Sequence, residues 1–169
     1  MDVLVDEDKN LKAIFFQTPE MQQNFSMYPE FVMLDATYKL NDLRMPLFVL
    51  LIVDGNGQSE IVALWITTDE SKDTITQMLQ SFKAHNKDHT RITCVMADKD
   101  LTERAVITSE LANAHLLICL FHTLRSFKRE ITCEKLGITS AERTLALEII
   151  QKLAYSQSEN MYSQNYKEL

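Results

Sequence analysis

Glycine and proline are scarce in this sequence, with three of each in 169 residues. That scarcity excludes a long flexible linker or a low-complexity segment, and the length favours one domain over two. Cysteine is just as rare. Cys94, Cys119 and Cys133 are odd in number and form no CxxC, which argues against a disulfide framework. No apolar run approaches the ~18–20 residues that a membrane span needs. The N-terminal stretch, Met1-Asp-Val-Leu-Val-Asp-Glu-Asp, lacks the basic segment of a signal peptide. No P-loop, GxGxxG or hydrolase elbow occurs, so no organic cofactor is expected. The chain is expected to be soluble and intracellular, with no membrane partner.

What is present is a large apolar fraction, 46%, enough for one sizeable core, and a formal net charge of −7. An acidic domain is repelled on average by phosphate backbones. Nucleic-acid contact therefore needs a local basic patch or help from another part of a longer protein. Arg125, Lys128 and Arg129 on one expected helix are the candidate patch; a solvated helix face is the plainer reading.

Periodicity sets the order of elements. Met1–Val5 and Leu11–Phe16 predict a small hairpin, and Glu20–Phe25 a short helix after Pro19. Phe31–Lys39 is apolar on both faces at its start, the pattern of a central strand. Leu47–Val53 and Ser59–Thr67 follow as strands, joined by Asp54-Gly-Asn-Gly57, whose Asn-Gly supplies the positive φ angles of a tight turn. Ser71–Ala84 has Ile75, Met78, Leu79 and Phe82 at helical spacing. Arg91–Ala97 is a short strand. Asp100 is the expected N-cap of a helix starting at Leu101, with Glu103 at capping-box spacing. Ala114–Leu120 predicts another strand and Phe121–Cys133 a helix ended by Gly137. Thr139 and Glu142 predict a capping box for the next helix, and a last helix runs from Ser158. The chain stops inside that last pattern without a C-cap, as a fragment of a longer protein would.

Three antiparallel strands followed by alternating helix and strand make an α/β domain with a mixed sheet flanked by helices. The RNase H-like fold uses this order. In such a sheet Asp35, on the first core strand, and Asp98, after the fourth, are neighbours. A carboxylate in an apolar strand must be paired, metal-bound or turned to a cleft. Two adjacent carboxylates repel unless a cation bridges them or one holds a proton. Mg²⁺ and Mn²⁺ are the hard cations that such oxygen ligands suit, and metal pairs of this kind promote phosphodiester chemistry. A lone aspartate at a strand end is more often a turn or cap residue, which is the plainer reading of Asp98, whereas Asp35 inside an apolar strand resists it. Cys119 and His122 have CxxH spacing, but with no second pair they make a poor zinc site. Cys94 and Trp65 read as packing residues.

The residues also carry a family resemblance. Asp35-Ala-Thr-Tyr-Lys39 resembles the motif on the first core strand of Mutator-like transposases and their FAR1-type plant descendants. Met96-Ala-Asp-Lys-Asp100 with Ala105-Val-Ile107 resembles their second motif. Leu117-Ile-Cys-Leu-Phe-His122 resembles their Cys-x-Trp-His motif, with Phe121 in place of tryptophan. Tyr28-Pro-Glu through Leu43-Arg-Met-Pro46, with Asp54-Gly-Asn-Gly57, is similar to the RNase H-like domain of animal zinc finger SWIM domain proteins of the type 1 and type 3 group.

That resemblance implies an RNase H-like fold of the DDE transposase and integrase type. It implies a hairpin and short helix over 1–26, the core over 27–136 and the start of a helical insertion over 137–169, all one continuous structural unit. It makes Asp35 and Asp98 the first two acids of a DDE triad and metal site, working or vestigial, and Cys119 and His122 the CxxH motif. The third acid would lie beyond Leu169, since Glu130, Glu134, Glu148 and Glu159 sit in no matching motif. Mg²⁺ or Mn²⁺ is implied if the site is active, and zinc only through a SWIM finger outside this chain. The implied setting is nuclear, with DNA or nuclear proteins as partners. Two functions compete: a domesticated core serving as an interaction module without cleavage, and a metal-dependent transposase or nuclease core active in the full-length protein. The net negative charge favours the first. An unrelated α/β domain is the third reading.

Overall fold

The computed structural model describes residues 1–38 and 42–168. Lys39, the last residue of the expected first core strand, lies outside them. The chain divides into two compact units, Met1–Ile118 and Cys119–Leu169.

The first unit holds one seven-stranded mixed sheet. Its strands are β1 (Asp2–Val5), β2 (Leu11–Phe16), β3 (Phe31–Thr37), β4 (Leu47–Val53), β5 (Ser59–Thr67), β6 (Cys94–Ala97) and β7 (His115–Ile118). Their order across the sheet is β1-β2-β5-β4-β3-β6-β7. The β3–β4–β5 meander and the β1–β2 hairpin are antiparallel, whereas β6 runs parallel to both β3 and β7. Helices α1 (Pro19–Met27), α2 (Lys72–His85) and α3 (Leu101–Glu110) belong to the same unit.

Alternation within the strands decides which side chains enter the core. Val32 and Leu34 of β3, Phe48, Leu50 and Ile52 of β4, and Val95 and Ala97 of β6 are buried. They meet Ile75, Met78, Leu79 and Phe82, the apolar stripe of α2. Trp65 of β5 anchors this layer, with ring centroids 5.2 Å from Phe15 and 6.1 Å from Phe82, while Phe25 of α1 packs edge-on to Phe82 at 4.9 Å. The N-terminal hairpin is bound in as well: β2 pairs with β5, and the Asp2 carboxylate accepts from Ser81 and lies 2.6 Å from His85 Nε2.

The second unit is helical: α4 (Leu120–Glu130), α5 (Cys133–Leu136), α6 (Ser140–Ala154) and α7 (Glu159–Tyr166). Within it α4 packs with α6, and α6 with α7. None of the described helices is long and apolar enough to cross a membrane.

Four local expectations need correction. The β4–β5 turn carries positive φ at Gly57 alone, not along Asn-Gly. Residues 54–58 make the connection: the Asp54 N–H donates to the Gln58 carbonyl, and Asp54 Oδ1 accepts from the N–H groups of Asn56 and Gln58. The strand expected from Arg91 begins at Cys94, because Lys87–Arg91 forms a 3₁₀ turn. The helix expected over Phe121–Cys133 breaks after Glu130. Thr132 accepts from the Lys135 N–H and opens α5, so the left-handed Gly137 caps α5 rather than α4. Cys94, expected as core packing, is only half-buried, because it alternates with buried Val95.

Candidate functional site

The parallel pairing of β3 and β6 positions the two aspartates. Val32 lies beside Val95 and Met33 beside Met96. The paired ladder ends there; Asp35 stands two residues further along β3, and Asp98 two residues beyond Met96, one past the end of β6. Adjacent strands are about 4.8 Å apart. Asp35 lies mid-sheet, opposite Val49 on β4, and Asp98 follows the last residue of β6. Both are half-buried, on the strand phase opposite the core residues Leu34 and Ala97. Asp98 Oδ1 accepts from the Lys99 N–H at 2.6 Å.

Asp100, two residues on, is occupied as a cap. Its Oδ1 accepts from the N–H groups of Thr102 and Glu103, each at 2.9 Å. This satisfies two of the open donors at the start of α3. The reciprocal half of the expected capping box is absent. Glu103 folds its side chain inward and is only 5% exposed, and its Oε2 has no hydrogen-bond partner.

Burial, reinforced by Asp100, Asp98, Glu70 and Asp35, pushes the Glu103 carboxyl up to about 7. Tyr38 joins the same acidic surroundings. Burial and its hydrogen bond to Glu70 raise its hydroxyl well above the usual range for tyrosine. Sequence reasoning treated Glu103 as part of a cap and missed its burial. The overlooked signal was spacing: Glu103 stands three and four residues before Val106 and Ile107, on the buried face of α3.

Carboxylate oxygens suit a hard divalent cation, which needs only one or two of them when water completes its shell. The donor set of Asp35 and Asp98 fits Mg²⁺ or Mn²⁺ in that sense. Among the described residues there is no group of three or more His, Cys, Asp or Glu side chains arranged to hold a metal directly.

The Cys119–His122 pair belongs to the second unit. Cys119 is the N-cap of α4, is half-buried and makes no side-chain cap bond. Its carbonyl accepts from the Thr123 N–H and hydroxyl, each at 3.0 Å. His122 stands on the first turn, edge-on to the ring of Phe121 at 5.3 Å, and Phe121 itself is 66% exposed. Arg125, Lys128 and Arg129 are exposed along the same helix, and Arg129 pairs with Glu130 at 3.1 Å.

Charge is unevenly divided. The first unit carries 10 Lys and Arg against 18 Asp and Glu, and the second carries 7 against 6. The acidic excess therefore belongs to the sheet-bearing unit and not to the helices.

The family model for the RNase H-like domain of zinc finger SWIM domain-containing proteins 1 and 3 matches residues 1–117. That match stops one residue short of the end of the first unit. The Arabidopsis thaliana protein FAR1-RELATED SEQUENCE 5 is 21% identical over 126 residues. The aligned stretch is 75% of this chain and 16% of that protein, so the chain spans a small part of the relative it matches.

Proposed function

The chain belongs to the family of RNase H-like domains of zinc finger SWIM domain-containing proteins 1 and 3, and on that footing we propose that it is a transposase-derived core that now serves as a nuclear interaction module without strand-cleaving activity. The observation that carries this reading is the division of charge. The unit holding Asp35 and Asp98 has 18 acidic residues against 10 basic ones, and it repels the phosphate backbone that a cleaving core must draw in. Nucleic-acid contact, in this proposal, falls to Arg125, Lys128 and Arg129 on α4, and nuclear proteins are the other class of partner. Asp35 and Asp98 remain as an inherited pair of ligands for Mg²⁺ or Mn²⁺. Zinc enters only through a SWIM finger elsewhere in the whole protein.

The test is a fluorescence-anisotropy titration with duplex DNA at several salt concentrations, paired with a plasmid-nicking assay in Mn²⁺. The expected result is weak, salt-sensitive binding and no nicking. Replacing Arg125, Lys128 and Arg129 together with alanine should lower the binding and flatten its salt dependence. Nicking lost in Asp35→Asn would overturn the non-cleaving reading.

The register of β3 against β6 favours a second reading, a metal-dependent transposase or nuclease core that is active in the full-length protein. A cation bound at the pair would supply Lewis-acid activation of a phosphodiester. Asp35 and Asp98 would hold it at the sheet, and the third acid would come from elsewhere in the whole protein.

A further inference from the structure

Glu103 is the one acidic or basic side chain that is buried among the described residues. A buried carboxylate oxygen without a hydrogen-bond partner is costly, and its neighbours deepen the problem. Asp100, Asp98, Glu70 and Asp35 all act on this carboxyl, and all are acids. A helix position flanked by Val106 and Ile107 would hold an apolar side chain at no such cost. The arrangement becomes favourable when positive charge sits among these carboxylates.

Building on the Asp35–Asp98 reading, we propose that Glu103 is an outer acid of that cation site, distinct from the directly ligating third acid, and holds the ion through a coordinated water. Direct ligation is not required. Mg²⁺ keeps several of its waters and takes one or two carboxylates, and outer carboxylates accept hydrogen bonds from such first-layer groups. This matches a described structure in which no three acids converge to ligating distance. Glu103 is then a positioning residue. Its free Oε2 accepts from a metal-bound water, and its charge helps offset that of the ion.

The experiment is calorimetric titration of the whole chain with Mn²⁺, for wild type, Asp35→Asn and Glu103→Gln. Water-proton relaxivity of the bound Mn²⁺ is measured in parallel. Asp35→Asn should abolish binding. Glu103→Gln should weaken it about tenfold or more with relaxivity per bound ion unchanged, and without cation it should melt no lower than wild type.

Undiminished binding in Asp35→Asn sinks the Asp35–Asp98 site itself. Binding lost in Asp35→Asn but intact in Glu103→Gln overturns the role of Glu103 alone. Relaxivity that rises in Glu103→Gln means a vacated direct ligand, and overturns the water-mediated mode. If Glu103→Gln fails to fold, Glu103→Met, of similar length and good helix propensity, carries the same comparison.

Discussion

The two units of this chain are stabilised by different means. The first buries Trp65, Phe15, Phe25, Phe48 and Phe82 in one continuous core beneath a seven-stranded sheet. In the second, Ile149 and Ile150 are the buried apolar residues among those described, while Phe121, Phe127, Leu136, Leu145 and Tyr155 are exposed. Its helices rely on their ends. Thr132, Thr139 and Ser158 cap three of them, and Arg143 donates to the carbonyls of Ile131 and Lys128, which closes the C-terminus of α4. The family match covers the first kind of stability and stops at the second. The difference teaches where each unit is vulnerable: to lost volume in the first, and to lost hydrogen bonds at helix ends in the second.

Trp65 is the only tryptophan and lies in the first unit, so its fluorescence reports on that unit. The largest effect is expected from Phe82→Ala, which removes a ring packed against Phe25 and Trp65. It should cost about 3–5 kcal/mol in urea denaturation followed by Trp65 emission. A loss below about 1 kcal/mol, less than any ordinary buried aromatic, would erase the contrast.

Next comes Glu103. Burial pushes its folded carboxyl up to about 7 from an ordinary 4.5, so the folded state holds the proton more tightly than the unfolded state does. The stabilising contribution is complete below about pH 4.5 and is lost as pH rises through about 7. Wild type should therefore lose up to about 3 kcal/mol across that window from this group, and Glu103→Gln should lose none of it. Parallel pH profiles for the two proteins, from urea midpoints at pH 5 and pH 8, would refute this.

The smallest effect belongs to the second unit. Thr139 Oγ1 accepts from the Glu142 N–H at 3.2 Å, and Glu142 Oε2 accepts from the Thr139 N–H at 2.8 Å. Thr139→Ala should cost about 1 kcal/mol, seen as reduced helical signal at 222 nm with the Trp65 transition unmoved. An equal shift in both signals would show that the two units melt as one.

The sheet was legible because its signal is local. Alternation in Phe31–Thr37, Leu47–Val53 and Ser59–Thr67 marks the buried side of each strand, and Asp54 and Gly57 mark the turn. Relating Asp35 to Asp98 needs the strand order as well, since Asp98, just past the end of β6, does not differ locally from a turn residue. Glu103 escaped because two rules compete at its position. A glutamate three residues after an N-cap aspartate suits a capping box, while its spacing to Val106 and Ile107 suits the core, and packing won. The break between α4 and α5 escaped because apolar spacing runs on through Ile131, and only the bond between Thr132 and the Lys135 N–H reveals the new start.

The parallel placement of β6 beside β3 also imposes a timetable. On the ribosome, β3, β4 and β5 emerge in succession and pair through short turns, so the meander can close early. Asp98 arrives roughly 60 residues after Asp35, and must wait for α2 and the 3₁₀ turn before β6 can thread alongside β3. The pairing of β6 with β3 is therefore made after the meander, and only β7 joins the sheet later. A nascent chain halted after β5 would carry Asp35 in a sheet before Asp98 exists, so the proposed cation site could be completed only once synthesis has passed Asp98.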